Sequence, residues 1–261
     1  MTDWLSLTTE EFSQAHIAVL PVAAVEQHGP HLAVGTDTYI AEAYLARVRA
    51  LLPLDEPVAF LPVQQVGASD EHRTFRGTLT LSPETALRAL IEIGESVHRA
   101  GINKLVIINS HGGNIALIDL VARQLRVRHA MIAVHTSWAR FGYPDGLFSE
   151  AERTHGIHGG EIETSIMLAA YPDLVRRDKI ANFVPASYAM ERNYKHLRAD
   201  FPVGFGWMAQ DLNASGAIGD TSLATAEKGE AALDHGARAF VELLKDVEKF
   251  DLGHLREGPL G

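Results

Sequence analysis

The chain has 261 residues, 46% apolar and 21% charged, the make-up of an ordinary globular protein with material for a sizeable core in one domain spanning 1–261. A formal net charge of −10 leaves no basic surplus to displace counterions from nucleic acid, and no apolar run reaches membrane-spanning length. With no cysteine there is no disulfide or thiolate chemistry, so any metal is held by nitrogen and oxygen.

The start, Met1-Thr2-Asp3-Trp4-Leu5, has neither a basic region nor an apolar stretch of a signal peptide, and a cytoplasmic location is expected. Residues 5–15 read as a short amphipathic lead-in. The run Ile17-Ala18-Val19-Leu20-Pro21-Val22 reads as a buried strand, and it runs into Val25-Glu26-Gln27-His28-Gly29-Pro30-His31 and Thr36-Asp37-Thr38. Asp37-Thr38 can cap a helix from Tyr39 to about Leu52, ended by Pro53. A second strand over 58–63, interrupted by Pro62, leads to the polar loop Gly67-Ala68-Ser69-Asp70-Glu71-His72.

Ser82-Pro83-Glu84 opens the next helix with a serine cap and a proline in the first turn, and Gly101 follows its end at Ala100. Leu105-Val106-Ile107-Ile108-Asn109 has the continuous apolar character of a parallel strand covered on both faces. It ends at Ser110-His111-Gly112-Gly113-Asn114, where a further helix begins. Residues 130–134 predict another strand, 139–160 and 182–220 functional loops or lids, and Leu223 to Phe250 a closing helix. The strand–helix alternation predicts an α/β fold with a mostly parallel sheet.

Most polar constellations follow strands, where ligands of open α/β sheets collect. Glu26, His28 and Asp37 follow the first strand, His111 follows 105–109, and His158-Gly159-Gly160-Glu161-Ile162-Glu163 opens a helix. Carboxylates and imidazoles converging on one spot repel or desolvate badly unless a cation lies between them. The donor set suits zinc first, with manganese or iron as alternatives. Two or three carboxylates with the histidines exceed the needs of a four-coordinate zinc. They imply two divalent ions, about 3.5–4 Å apart in such centres, bridged by Asp37 and activating a water. No Gly-x-Ser-x-Gly and no phosphate-binding loop is present.

Together these segments resemble the creatininase family. Matching pieces are Glu26-Gln27-His28-Gly29-Pro30-His31-Leu32 with Thr36-Asp37, then Asn109-Ser110-His111-Gly112-Gly113-Asn114, and His158 through Ser165. Gly216-Ala217-Ile218-Gly219-Asp220 and Ala224-Thr225-Ala226-Glu227-Lys228-Gly229 match its C-terminal segment. The resemblance implies a three-layer αβα fold, a dinuclear metal centre, hydrolysis of a carbon–nitrogen amide bond in a small cyclic or formamido substrate, and a homo-oligomer, often a hexamer. It also implies that Glu26, Asp37 and His111 hold one ion and His28 and Asp37 the other.

Gly113 stands where creatininase proper has a glutamate ligand. Glu161 is expected to supply that carboxylate, with Glu163 as its rival and otherwise expected in catalysis, positioning water. His158 matches a histidine with a proton-transfer role. The competing function is an isomerase, lyase or C–C hydrolase using the same metals on a sugar- or inositol-like molecule.

Overall fold

The apolar runs form the central strands of the main sheet, and all the strands of that sheet run the same way. In the computed structural model, which describes residues 1–256 and 258, the main sheet contains β1 (Thr2–Asp3), β2 (Ile17–Val22), β3 (Val58–Phe60), β4 (Lys104–Asn109) and β5 (Ile132–Ser137). They lie in the order β1-β3-β2-β4-β5, all parallel. The helices are α1 (Thr36–Leu51), α2 (Pro83–Arg99), α3 (Ile115–His129), α4 (Glu150–His155), α5 (Glu161–Ala170), α6 (Ser187–Asn193), α7 (Ala209–Leu212) and α8 (Ala226–Lys249).

Side chains alternate across a strand, so each apolar run serves two cores. Ile17 and Val19 of β2, with Val106 and Ile108 of β4, pack beneath α1, α5 and α8. Ala18, Leu20 and Val22, with Leu105 and Ile107, pack beneath α2 and α3. The result is the three-layer αβα arrangement. Truncating a buried leucine such as Leu125, fully enclosed between α2 and α3, is expected to cost about 2–5 kcal/mol. Near the site the first core is aromatic: Tyr44 stacks on Trp138 at 4.3 Å, and Trp138 tilts against Phe240 at 5.2 Å. Gly229 brings α8 against the α5 backbone, because a Cβ there would strike the Ser165 carbonyl.

Several boundaries differ from the sequence reading, each for a local reason. Helix α1 begins at Thr36 with Gly35 as its N-cap, so Asp37 is not a cap and its carboxylate is free for other partners. Strand β3 stops at Phe60 because Pro62 has no N–H to give. Leu61 and Gln64 nevertheless donate to Val19 and Pro21 of β2, both at 2.9 Å. Ala130, with φ of +51°, is the cap of α3 rather than a strand residue, and it moves β5 to 132–137. The lead-in forms two 3-10 turns, Trp4–Ser6 and Glu11–Gln14, preceded by the unforeseen edge strand β1. The long segments are not bare loops: they carry α4, α6, α7 and the antiparallel pair β6 (Asn182–Phe183) and β7 (Gly219–Asp220).

Candidate metal centre

The loops beyond the carboxyl ends of β2, β3 and β4 meet the first turn of α5. Glu26 lies in the loop after β2, held where its N–H donates to Val34 O at 2.8 Å. Asn109, the last residue of β4, shapes the next turn: its Oδ1 accepts from the His111 N–H at 3.1 Å. Asn114 ties that turn to β2's exit by donating to the Ala23 carbonyl at 3.1 Å. Gly159, with φ of +59°, turns the chain into α5, and its N–H donates to Glu163 Oε2 at 2.6 Å. That bond aims Glu163 back at the loop.

Asp37 organises what these loops bring together. Its Oδ2 lies 3.6 Å from His111 Nδ1, which is itself 3.1 Å from Glu26 Oε1. Its Oδ1 lies 3.4 Å from His28 Nε2, which is 3.9 Å from Glu163 Oε2. One carboxylate thus completes two triads, Glu26–Asp37–His111 and His28–Asp37–Glu163, whose donor atoms lie within 4.8 Å of one another in each. His158 Nδ1, 3.5 Å from Glu26 Oε1, and His72 Nε2, 3.4 Å from the same oxygen, close further sides.

The donor atoms are buried and underused. Among the described residues, both Glu26 oxygens, His28 Nε2 and Asp37 Oδ2 have no hydrogen-bond partner, although Glu26, His28 and Asp37 are at most 1% exposed. Buried carboxylate oxygens without donors cost several kcal/mol, on the order of 2–7 for a polar group left unpaired, and a cation removes that cost. The residues therefore fit a divalent metal.

The electrostatics of the protein alone agree. Burial opposes charge on His28, but Asp37, Glu163 and Glu26 push its ring up to about 10. Burial is likewise outweighed at His111, where Glu26, Asp37 and Glu71 raise the ring to about 10. Burial would raise Glu26, yet His111, His158 and His72 hold it well below the usual carboxylate range. Loss of water around Glu163, with Asp37 and Glu26 close by, lifts that carboxyl to about 7 despite His28. The two rings thus carry protons a metal would displace, so metal uptake should release protons.

Backbone carbonyls decide which ring nitrogen faces inward. His28 donates Nδ1–H to Glu26 O at 3.0 Å, so Nε2 is the nitrogen that faces Asp37 and would take a metal. His111 donates Nε2–H to Ala68 O at 2.9 Å, so Nδ1 is the nitrogen that faces Glu26 and would take a metal. His158 donates Nε2–H to Gln27 O at 2.6 Å, and its Nδ1 faces the cluster. Histidine ligands are oriented by such bonds.

The expectation for Glu161 is corrected. Its carboxylate is engaged by Lys228 Nζ on α8, and it belongs to none of the four metal-type clusters among the described residues. Two residues apart on a helix are turned by about 200°, so when Glu163 faces the loops Glu161 must face α8. Glu163 is the carboxylate that arrives. The packing of this chain leaves no room for a side chain at Gly113, since a Cβ there would run into Ala68 O, the His111 ring and Glu71 Oε1. Glu71 and His72 were not singled out from the sequence as site residues; their signal was a polar loop after the second strand.

Beside Glu163 and His111 opens a cavity of about 350 Å³, whose lining includes Trp138, Tyr143, Ile157 and Arg153.

Similarity to known proteins bears on this geometry. The profile of the creatininase family, described as creatinine amidohydrolase, matches residues 4–244. A mycofactocin precursor peptide peptidase of Mycolicibacterium smegmatis is 30% identical over 229 residues, covering 86% of this chain and 83% of that protein. A creatinine amidohydrolase of Pseudomonas putida is 27% identical over 251 residues, covering 88% and 89%. Among solved structures, a mutant creatininase described as Zn-Zn type superposes with a TM-score of 0.72 at 26% identity, covering 94% of this chain and 97% of that one.

Proposed function

Since the chain belongs to the creatininase family, hydrolases of carbon–nitrogen bonds, we propose that it cleaves an amide of a small cyclic or formamido substrate at a two-metal centre. The observation that carries this reading is the pair of triads sharing Asp37, one oxygen to each. Glu26, Asp37 and His111 would hold one ion, and His28, Asp37 and Glu163 the other; the nitrogen and oxygen donors favour zinc, with manganese or iron as alternatives. Two such ions supply a water nucleophile at neutral pH and polarise the substrate carbonyl.

The protein's own part is orientation and proton transfer. His158, its Nε2–H anchored on Gln27 O, turns Nδ1 toward the centre, where it can take the proton lost as water adds to the carbonyl carbon. Returning that proton to the nitrogen lets it leave as an amine rather than as an anion. The proton of the carboxylic acid so formed passes to the freed amine, and the products are a carboxylate and an ammonium group. Trp138, Tyr143 and Ile157 give the adjoining cavity an apolar wall against which a small ring can lie. In keeping with the family, the working form is proposed to be a cytoplasmic homo-oligomer, a hexamer.

A second substrate class, the amide of a short peptide, is favoured by the identity to a precursor-peptide peptidase. The two separate in one experiment. Zinc-loaded protein is offered cyclic amides, formamides and short peptides, with amine and carboxylate release measured for each. Release from the first two groups supports the proposal, release from peptides alone moves it to the second class, and no release from any of them contradicts both.

A further inference from the structure

The four imidazoles at the centre are of two kinds. His28, His111 and His158 each spend one N–H on a backbone carbonyl and turn the other ring nitrogen inward, where a metal can take its lone pair. His72 is wired in reverse. Its Nδ1 lies 2.7 Å from Nε2 of Gln27. That amide cannot be turned over, because Gln27 Oε1 accepts from the Gly29 N–H at 2.8 Å and Nε2 donates to the Gly216 carbonyl at 3.1 Å. Swapping the two ends would set donor against donor and acceptor against acceptor. The Gly216 carbonyl can come this close because residue 216, at φ of +86°, has no Cβ; one would strike Gln27.

An amide nitrogen offers hydrogens and no lone pair, so Nδ1 of His72 must accept. A doubly protonated ring would point a hydrogen at that amide and is excluded on the same ground. The one ring proton then sits on Nε2, 3.4 Å from Glu26 Oε1 and 4.0 Å from Glu71 Oε1. A nitrogen bearing hydrogen has no lone pair for a metal, although His72 sits in a metal-type cluster with Glu26 and Glu71.

From this wiring we propose that His72 is a positioning residue and not a ligand: Gln27 locks its proton onto Nε2, and that N–H orients the Glu26 carboxylate. The proposal rests on the two-metal reading given above. A carboxylate can rotate between several binding modes; the N–H faces Oε1 at 3.4 Å without closing a hydrogen bond to it in this structure, and its positive edge favours the one rotation in which Oε1 stays beside His111 Nδ1, 3.1 Å away.

Zinc affinity, read by competition with a chromogenic chelator, tests this without any substrate. His72→Phe keeps the ring's volume and removes the N–H. It is expected to hold two zinc ions per chain at saturation but to bind them about 10–100-fold more weakly. In His72→Gln the side-chain amide can offer an N–H near the same place, and most of the affinity should return, which mere cavity filling by phenylalanine does not provide. If His72→Phe fails to fold, His72→Ala is read by the same criteria. Loss of a whole ion at saturation would make His72 a ligand, and unchanged affinity would leave it without the role; either result overturns the proposal. Wild-type protein that binds no zinc would instead overturn the metal-centre reading itself.

Discussion

Replacing Lys228 by methionine separates a structural carboxylate from a metal-binding one. Glu161 is 2% exposed and faces Lys228, whose side chain is 30% exposed. Removing one partner of a buried pair costs about 3–5 kcal/mol, because the remaining charge is stranded. Here water can follow the shortened side chain in from the Lys228 side, which lowers the expectation to about 2–3 kcal/mol. In a chain of this size that corresponds to a fall of roughly 4–8 °C in the midpoint of thermal unfolding. Glu161→Gln in the same background removes the stranded charge and should recover most of the loss. The assay is thermal unfolding of the wild type, both single variants and the double variant, with metal content measured on each preparation. All four should carry the same metal. Loss of an ion in Glu161→Gln, without a stability loss in Lys228→Met, would refute the assignment and return Glu161 to the metal centre.

Other outcomes follow from the same geometry. Asp37→Ala should strip most of both ions and Glu163→Gln one of them, by elemental analysis; an Asp37→Ala protein retaining two tightly bound ions would disprove the bridge. His158→Ala should keep its metal and fold yet lose about 10²–10⁴ in kcat on whichever substrate is found. Loss of metal would make it a ligand, and wild-type kcat would remove it from the mechanism. Burial, with His28 nearby, holds His31 down at about 4, against about 6.5 in an unfolded chain. Between these values the unfolded chain binds the extra proton, so this contribution is complete above about pH 6.5 and drains away toward pH 4, by about 3 kcal/mol in all. His31→Asn should flatten that part of the stability profile measured by denaturant unfolding; an unchanged slope would show that His31 is not its source.

The strands that carry the site were legible because a parallel strand buried on both faces must be apolar throughout, as 17–22 and 105–109 are. The gathering of Glu26, His28, Asp37 and His111 could be anticipated because their loops leave the same edge of one sheet. Choosing between Glu161 and Glu163 needed the rotation of α5, which is set by Gly159 donating to Glu163 and by Lys228 arriving from α8. The first contact is local but depends on the left-handed turn at Gly159, and the second spans 67 residues. The C-terminal match around Thr225-Ala226-Glu227-Lys228-Gly229 proves to serve packing: Thr225 caps α8, accepting from the Lys228 N–H at 3.3 Å, Lys228 meets Glu161, and Gly229 rests on α5. His72 was hidden for a different reason. Its character depends on where Gln27, 45 residues away, places a proton, and no spacing in the chain reveals that.

The central claim is that two cations share Asp37. Anomalous scattering from crystals of the zinc-loaded protein, recorded on either side of the zinc edge, tests it most directly. Two anomalous peaks per chain are expected, about 3.5–4 Å apart, one beside Glu26 and His111 and one beside His28 and Glu163, with Asp37 between them. A single peak, or a second one lying at Glu71 and His72 instead of His28 and Glu163, would contradict it.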